Sequence, residues 1–228
     1  MSALPPSIAG DETLAASHSR DDHAGSPRGG NPAAAPGLIE QMGFLAGTRL
    51  ATPLGYVAVE RLTAGDFLLT ADGRHARLRW IGMQWVEARA AHAPVVFQTG
   101  VMDNMRPLCL GQGHRLIVSG WRAEVLFDAA SVQASAKGFV NGADVRIEEG
   151  ETVTYCHLLF DRHEVVLAEN VPCETLLPGP PGLARLDPVT RGNLLAACPG
   201  IASKIGGPDD GPALPLLNTA EAGQFCAV

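Results

Sequence analysis

The chain has 228 residues, a formal net charge of −7, 46% hydrophobic and 18% charged residues. That is enough apolar material for a core and one domain of ordinary size with tails. Only Lys137 and Lys204 are lysines, and no basic run exists; nucleic acid and anionic lipid, which need clustered positive charge, are excluded as expected partners.

No apolar run approaches the ~18–20 residues of a membrane-spanning helix, and the first thirty residues lack the apolar block of a secretory signal. The expected location is therefore the cytoplasm, or outside the cell by a leaderless route. Five cysteines (Cys109, Cys156, Cys173, Cys198, Cys226) stand at scattered spacings without a CxxC pair, which argues for a reducing compartment and against a disulfide scaffold or Cys-rich zinc site.

In chain order, residues 1–37 are rich in Ala, Pro, Gly and Ser and hold no aromatic residue. Such a segment buries too little apolar area to offset its ordering entropy, and a disordered tail is expected. Residues 38–178 read as a β domain of short apolar runs punctuated by turns. TRLAT is followed by PLG, YVAVERL by TAGD, and FLLT by ADGR. Asp72-Gly73 in the last of these signals a hairpin with both turn residues at positive φ. In RHARLRWIG, Ala76, Leu78 and Trp80 share one face and Arg77 and Arg79 the other. The runs PVVFQ, HRLIVSG, VTYCHLLF and HEVVLA follow.

Residues 179–228 form a partly helical extension. Asp187 is a helix N-cap with Pro188 at the first helical position, apolar Val189, Leu194 and Leu195 follow, and Pro199-Gly200 ends the helix. A loop covers 206–215 and a second short helix 216–225.

Three stretches carry the functional signal: GFLAGTRLATPLGYVAVERLTAGDFLLTADG (43–73), CLGQGHRLIVSG (109–120) and YCHLLFDRHEVVLAENVPCET (155–175). In order and spacing they resemble the Hint domain of hedgehog autoprocessing domains and inteins, closest to the bacterial Hint-type proteins that stand apart from both. The resemblance covers about residues 43–178. It implies an all-β horseshoe with pseudo-two-fold symmetry that attacks the peptide bond before its own first residue, shifting it to a thioester or ester. A histidine in the second block polarises the scissile amide, and one in the third assists the later step.

Carried over residue by residue, the nucleophile position falls on Gly43, which has no side chain. The second block's Thr falls on Gly111 and its histidine on His114. The third block's histidine falls on His163. The terminal Asn of inteins falls near Glu174, and no His-Asn pair is nearby. The expected function is thus a degenerate Hint domain without self-cleavage, a binding or structural platform for a protein partner. The alternative is residual autoproteolysis of Met42–Gly43, in which His114 helps an external nucleophile and the chain is its own substrate.

The remaining polar residues read as architecture. His157 and His163 are six residues apart, ~20 Å along a straight strand, too far to share a metal without a turn at Phe160–Arg162; no metal and no cofactor are expected. Cys109 is the best substitute nucleophile by position, but it lies mid-domain and reads as a small buried hydrophobe, as do Cys156 and Cys173. Thr48 and Thr52 belong to turns and ladders, Asp66 bonds nearby backbone, and Glu60 pairs with an arginine. GQG at 111–113 precedes a strand, not the helix a phosphate loop requires. Trp80, Trp85 and Trp121 are packing residues.

Overall fold

A computed structural model describes residues 41–177, 179–203 and 214–226. The expected N-terminal tail and most of the 206–215 loop lie outside them. The first half contributes β1 (Phe44–Leu45), β2 (Arg49–Thr52), β3 (Gly55–Ala58), β4 (Phe67–Leu69), β5 (His75–Arg77), β6 (Trp80–Glu87) and β7 (Val95–Phe97). The second half contributes β8 (Leu108–Leu110), β9 (Arg115–Ser119), helix α1 (Trp121–Phe127), β10 (Ser131–Ser135), β11 (Val145–Ile147), β12 (Thr152–Leu159), β13 (Val165–Ala168) and β14 (Val171–Glu174). Short helices α2 (Pro180–Leu183), α3 (Pro188–Ala197) and α4 (Thr219–Gly223) follow.

Among the described residues the strands form two six-stranded sheets, β11-β7-β8-β1-β12-β6 and β10-β9-β14-β13-β2-β3, with β4-β5 as a separate hairpin. The all-β Hint-type architecture read from the sequence is the one observed. Period-two burial explains most strands: Val132 and Ala134 in β10, Val166 and Ala168 in β13 point into one core. Ala76, Leu78 and Trp80 are buried while Arg77 and Arg79 are exposed, as the alternation requires. β12 departs from alternation and is buried on both faces from Tyr155 to Leu159. The reason is a second layer. Leu158 joins the main core, whereas Leu159 packs with Trp80, Leu176, Leu183, Leu186, Leu194 and Ile201. The C-terminal extension therefore sits on the β domain, each fully buried leucine contributing roughly 1.5–3 kcal/mol.

Trp80 lies flat over Gly82: a Cβ there would meet Cζ3 at 2.9 Å and the far edge of the indole more closely still. Gly82→Ala is expected to lower the stability measured by urea unfolding by about 2 kcal/mol, because the displaced indole is part of the second core.

Some local expectations are corrected. In the β4–β5 hairpin only Gly73 has positive φ (81°); its N–H donates to Thr70 O at 2.9 Å, a three-residue loop with glycine at the left-handed position rather than a two-residue turn. Trp85 and Trp121 are 69% and 65% exposed, so only Trp80 is a core tryptophan. Glu60 accepts the Gly47 N–H at 2.8 Å instead of pairing with an arginine. Asp66 does bond backbone, from Thr63 N–H at 2.8 Å.

α1 and β10 were not read from the sequence: Gly120, with φ 96°, turns β9 into the helix. α3 begins where expected, with Asp187 accepting the N–H groups of Val189 and Thr190, but Val189 faces solvent and Leu194 is the buried anchor. The last helix is shorter than expected, α4 followed by one 3-10 turn. Before it, residues 214–217 cover the edge of β10, Leu217 N–H donating to Gln133 O at 2.8 Å.

Candidate functional site

β1 runs between β8 and β12, with Phe44 opposite both Leu110 and Cys156. Gly43 stands at its head. The chain leaves β8 through Gly111–His114 and enters β9 in the other sheet, so His114 sits at the crossing between the two sheets. The Gly43 N–H donates to His114 Nδ1 at 3.2 Å, and the Gly43 carbonyl accepts Gly111 N–H at 3.0 Å. The Phe44 ring meets the imidazole edge-on, with centroids 4.4 Å apart.

Gly43 has φ 111°, a conformation open mainly to glycine. A Cβ at this position would stand 3.0 Å from Cys156 O and 3.1 Å from His157 Cε1. His157 is therefore the second histidine at the site. Antiparallel register accounts for it: Leu45 opposes Tyr155 and Phe44 opposes Cys156, which sets the next step, Gly43, opposite His157. His163, the residue carried over from the third block, is elsewhere, its Nε2 3.8 Å from Glu174 Oε2 on β14. The spacing of the block points to His163, whereas the pairing of β1 with β12 is the signal that finds His157 beside Gly43.

His114 and His157 are both almost wholly buried. Burial, aided by the neighbouring His157, pushes the His114 pKa down to about 3. Burial lowers that of His157 to about 4, opposed by the charge of Asp187. Both rings are neutral at pH 7. Because His114 Nδ1 accepts a hydrogen bond from the Gly43 amide, the ring's own proton resides on Nε2. Neither Nε2 has a hydrogen-bond partner. A cavity of about 10 Å³, bounded by Gly43, His114, Cys156, His157 and Thr175, has room for a single water.

The segment before Gly43 is held firmly. Gln41 O accepts Gly113 N–H at 2.9 Å, and its side-chain amide reaches Met42 O at 2.9 Å, Gln84 Oε1 at 3.1 Å and His92 Nδ1 at 3.1 Å. Arg185 of the extension reaches Met42 Sδ at 2.8 Å. Gly111 faces this segment: a Cβ there would overlap Gln41 O and stand 2.8 Å from Gln41 C and 3.0 Å from Met42 C.

The other candidates fall into structural roles. Cys109 is half-buried and its thiol is pushed up to about 11, by burial first and by Glu148 and Glu169 second. Cys156 is pushed up to about 12, mainly by burial. Thr48 Oγ1 donates to Cys109 O and Thr52 Oγ1 to Gly55 O. Gln112 in the GQG loop ties Ala90 O and Ala93 O together at 2.6 and 3.0 Å. His157 and His163 line separate cavities. Among the described residues no group of three or more His, Cys, Asp or Glu side chains is placed to hold a metal. None of their helices is long and apolar enough to cross a membrane.

The two β sheets are thus linked through a histidine that accepts the N–H of Gly43 at the head of β1. The Hint domain family model matches residues 42–180, and the chain belongs to that family. The fold is similar to the crystal structure of the MchDnaB-1 intein, with 20% identity over 57% of this chain and 98% of that chain and a TM-score of 0.38. The solution structure of the bacterial intein-like domain from Clostridium thermocellum is similar over 59% of this chain and 99% of its own, at 15% identity and a TM-score of 0.44. No curated protein matches the chain significantly.

Proposed function

We infer that this is a degenerate Hint domain: the fold persists as a fixed platform, and self-cleavage at Met42–Gly43 has been lost. The observation that carries the reading is Gly43 itself. An amide-to-ester shift needs a thiol or hydroxyl on the residue that follows the scissile bond, and Gly43 supplies only hydrogen where that group would stand. The nearby chemistry agrees. His114 presents a lone pair, not a proton, to the Gly43 nitrogen. With a pKa near 3 it offers no acid for a departing amine at neutral pH. Cys109, the only half-buried thiol close in sequence to His114, is held in its protonated form.

A platform role suits the way Gln41 and Met42 are fastened to the loop between β8 and β9, to residues 91–92 and to the extension. The partner such a platform serves would be a protein, consistent with a net charge of −7. The rival activity, attack on Met42–Gly43 by water or thiol with help from His114, is tested directly. The full chain and a His114→Ala variant are incubated with dithiothreitol and run on a gel. We expect no fragment beginning at residue 43 in either sample; a fragment from the parent chain that the variant fails to give would establish the rival.

A further inference from the structure

The loop that leads into β11 carries chemistry that the Gly43 site does not use. Asn141 is the one asparagine of the sequence followed by glycine. Both residues are exposed to water. The carboxamide is fixed by its oxygen alone: Asn141 Oδ1 accepts the N–H groups of Ala143 at 2.9 Å and Val145 at 3.0 Å. No described residue takes a hydrogen bond from Nδ2. Two donors on one oxygen polarise Cγ, and they stand where an oxyanion would need them if that carbon were attacked.

The adjacent nucleophile is the Gly142 nitrogen, whose attack on Cγ closes a five-membered ring. Gly142 has φ 76° and open space where a side chain would project. Its N–H is held loosely, to Val145 O at 3.2 Å, and that carbonyl keeps the Asn141 N–H at 3.1 Å when the Gly142 proton leaves. The step balances with water as the only co-reactant. The Gly142 amide gives its proton to solvent, its nitrogen bonds to Asn141 Cγ, and negative charge passes to Oδ1 between its two donors. The Cγ carbonyl then re-forms, the Cγ–Nδ2 bond breaks, and Nδ2 leaves as ammonia with a proton taken from water. Water opens the resulting succinimide at either carbonyl, giving aspartate or isoaspartate, and the chain stays in one piece.

We propose that Asn141–Gly142 is a self-modification site, at which the folded loop drives cyclisation to a succinimide and its hydrolysis to aspartate and isoaspartate. The aspartate product keeps an acceptor for Ala143 and Val145, whereas isoaspartate puts an extra backbone carbon ahead of β11. Either adds a negative charge to the wall of a cavity of about 770 Å³ that already carries Asp103 and Asp144. The chemistry is independent of whether residue 43 reacts. For the test, the purified full chain and a synthetic peptide of residues 137–146 are held at pH 8 in H₂¹⁸O, and residue 141 is followed by peptide mapping with mass spectrometry. Asn141 should convert at least about fivefold faster in the chain than in the peptide, the product carrying heavy oxygen. Asn104, Asn170, Asn193 and Asn218 should stay unconverted over the same time. Gly142→Ala, whose Cβ meets open space, should slow residue 141 to the rate of those asparagines; the comparison of chain with peptide needs no variant and decides the matter if this one does not fold. No conversion at Asn141, a rate no higher than that of the peptide, or conversion of a folded Gly142→Ala variant at the parent rate would each overturn the site.

Discussion

Gly111→Thr, which restores the side chain typical of the family's second block, is expected to cost about 3 kcal/mol of folding stability and to lower the thermal midpoint by roughly 6–12 °C. Gly111 does not need glycine for its backbone, since its φ is not among the positive ones. It needs glycine for space. The atoms a Cβ would meet are the carbonyl and carbon of Gln41 and the carbon of Met42, all backbone. Backbone cannot swing aside as a side-chain tip can. This stretch is further held by Gly113 N–H, by Gln84 and His92 through the Gln41 amide, and by Arg185 through Met42. Either the segment is expelled and those contacts are lost, or β8 and β9 shift. Calorimetry of the variant beside Gly47→Ala, a glycine with open space around it but positive φ, separates the clash from backbone strain. The clash should produce the larger loss; a Gly111→Thr midpoint within 2 °C of the parent would show that the upstream segment is not seated as described.

Acid sensitivity is the second large effect. His114 and His157 titrate at about 3 and about 4 in the folded chain because burial opposes their charged forms, against an ordinary value near 6.5 once unfolded. Between these values the unfolded chain binds up to two more protons than the folded one. Stability therefore rises with pH across that window and is lost on acidification. Each histidine contributes a slope of at most about 1.4 kcal/mol per pH unit, and together they make the chain about 3–4 kcal/mol less stable at pH 5 than at pH 7. Asp187 acts in a lower window. Burial would raise its pKa, but its hydrogen bonds with Thr190 and Val189 prevail and lower it, so its contribution disappears only as pH falls below the ordinary carboxylate range. Urea unfolding at pH 7, 6 and 5 measures the slope, and His114→Gln should reduce it by about half. A flat profile above pH 5 would mean that the two rings are open to water.

Much of this arrangement was legible in the sequence, and the pattern of misses is physical. Alternation in Ala76–Trp80, β9 and β13 and the continuous apolar runs of β7 and β12 exposed the sheets, because both patterns are local. Gly43 and His114 were found because each belongs to a block with its own signature, and the structure joins them at 3.2 Å. His157 was passed over because choosing between it and His163 depends on the register of β12 against β1, a non-local pairing that block spacing does not encode. For the same reason Gly111 read only as a missing hydroxyl, when it is a position that the Gln41 backbone crowds. The bidentate contact of Arg49 with the buried Glu169, which also accepts Arg49 N–H, joins residues 120 apart and left no local trace. Helix α1 begins at a glycine with φ 96° and has no side-chain cap, so the usual start signal is absent. Trp85 and Trp121 show the limit of composition: large aromatic residues suggest burial, yet their strand face and helix position leave them in solvent.

The central claim, that the bond before Gly43 has no internal nucleophile and stays intact, is tested most directly by intact-mass spectrometry of the purified full-length chain after incubation with hydroxylamine at neutral pH. Loss of self-cleavage predicts one species at the mass of all 228 residues. A pair of fragments divided between Met42 and Gly43 would contradict it.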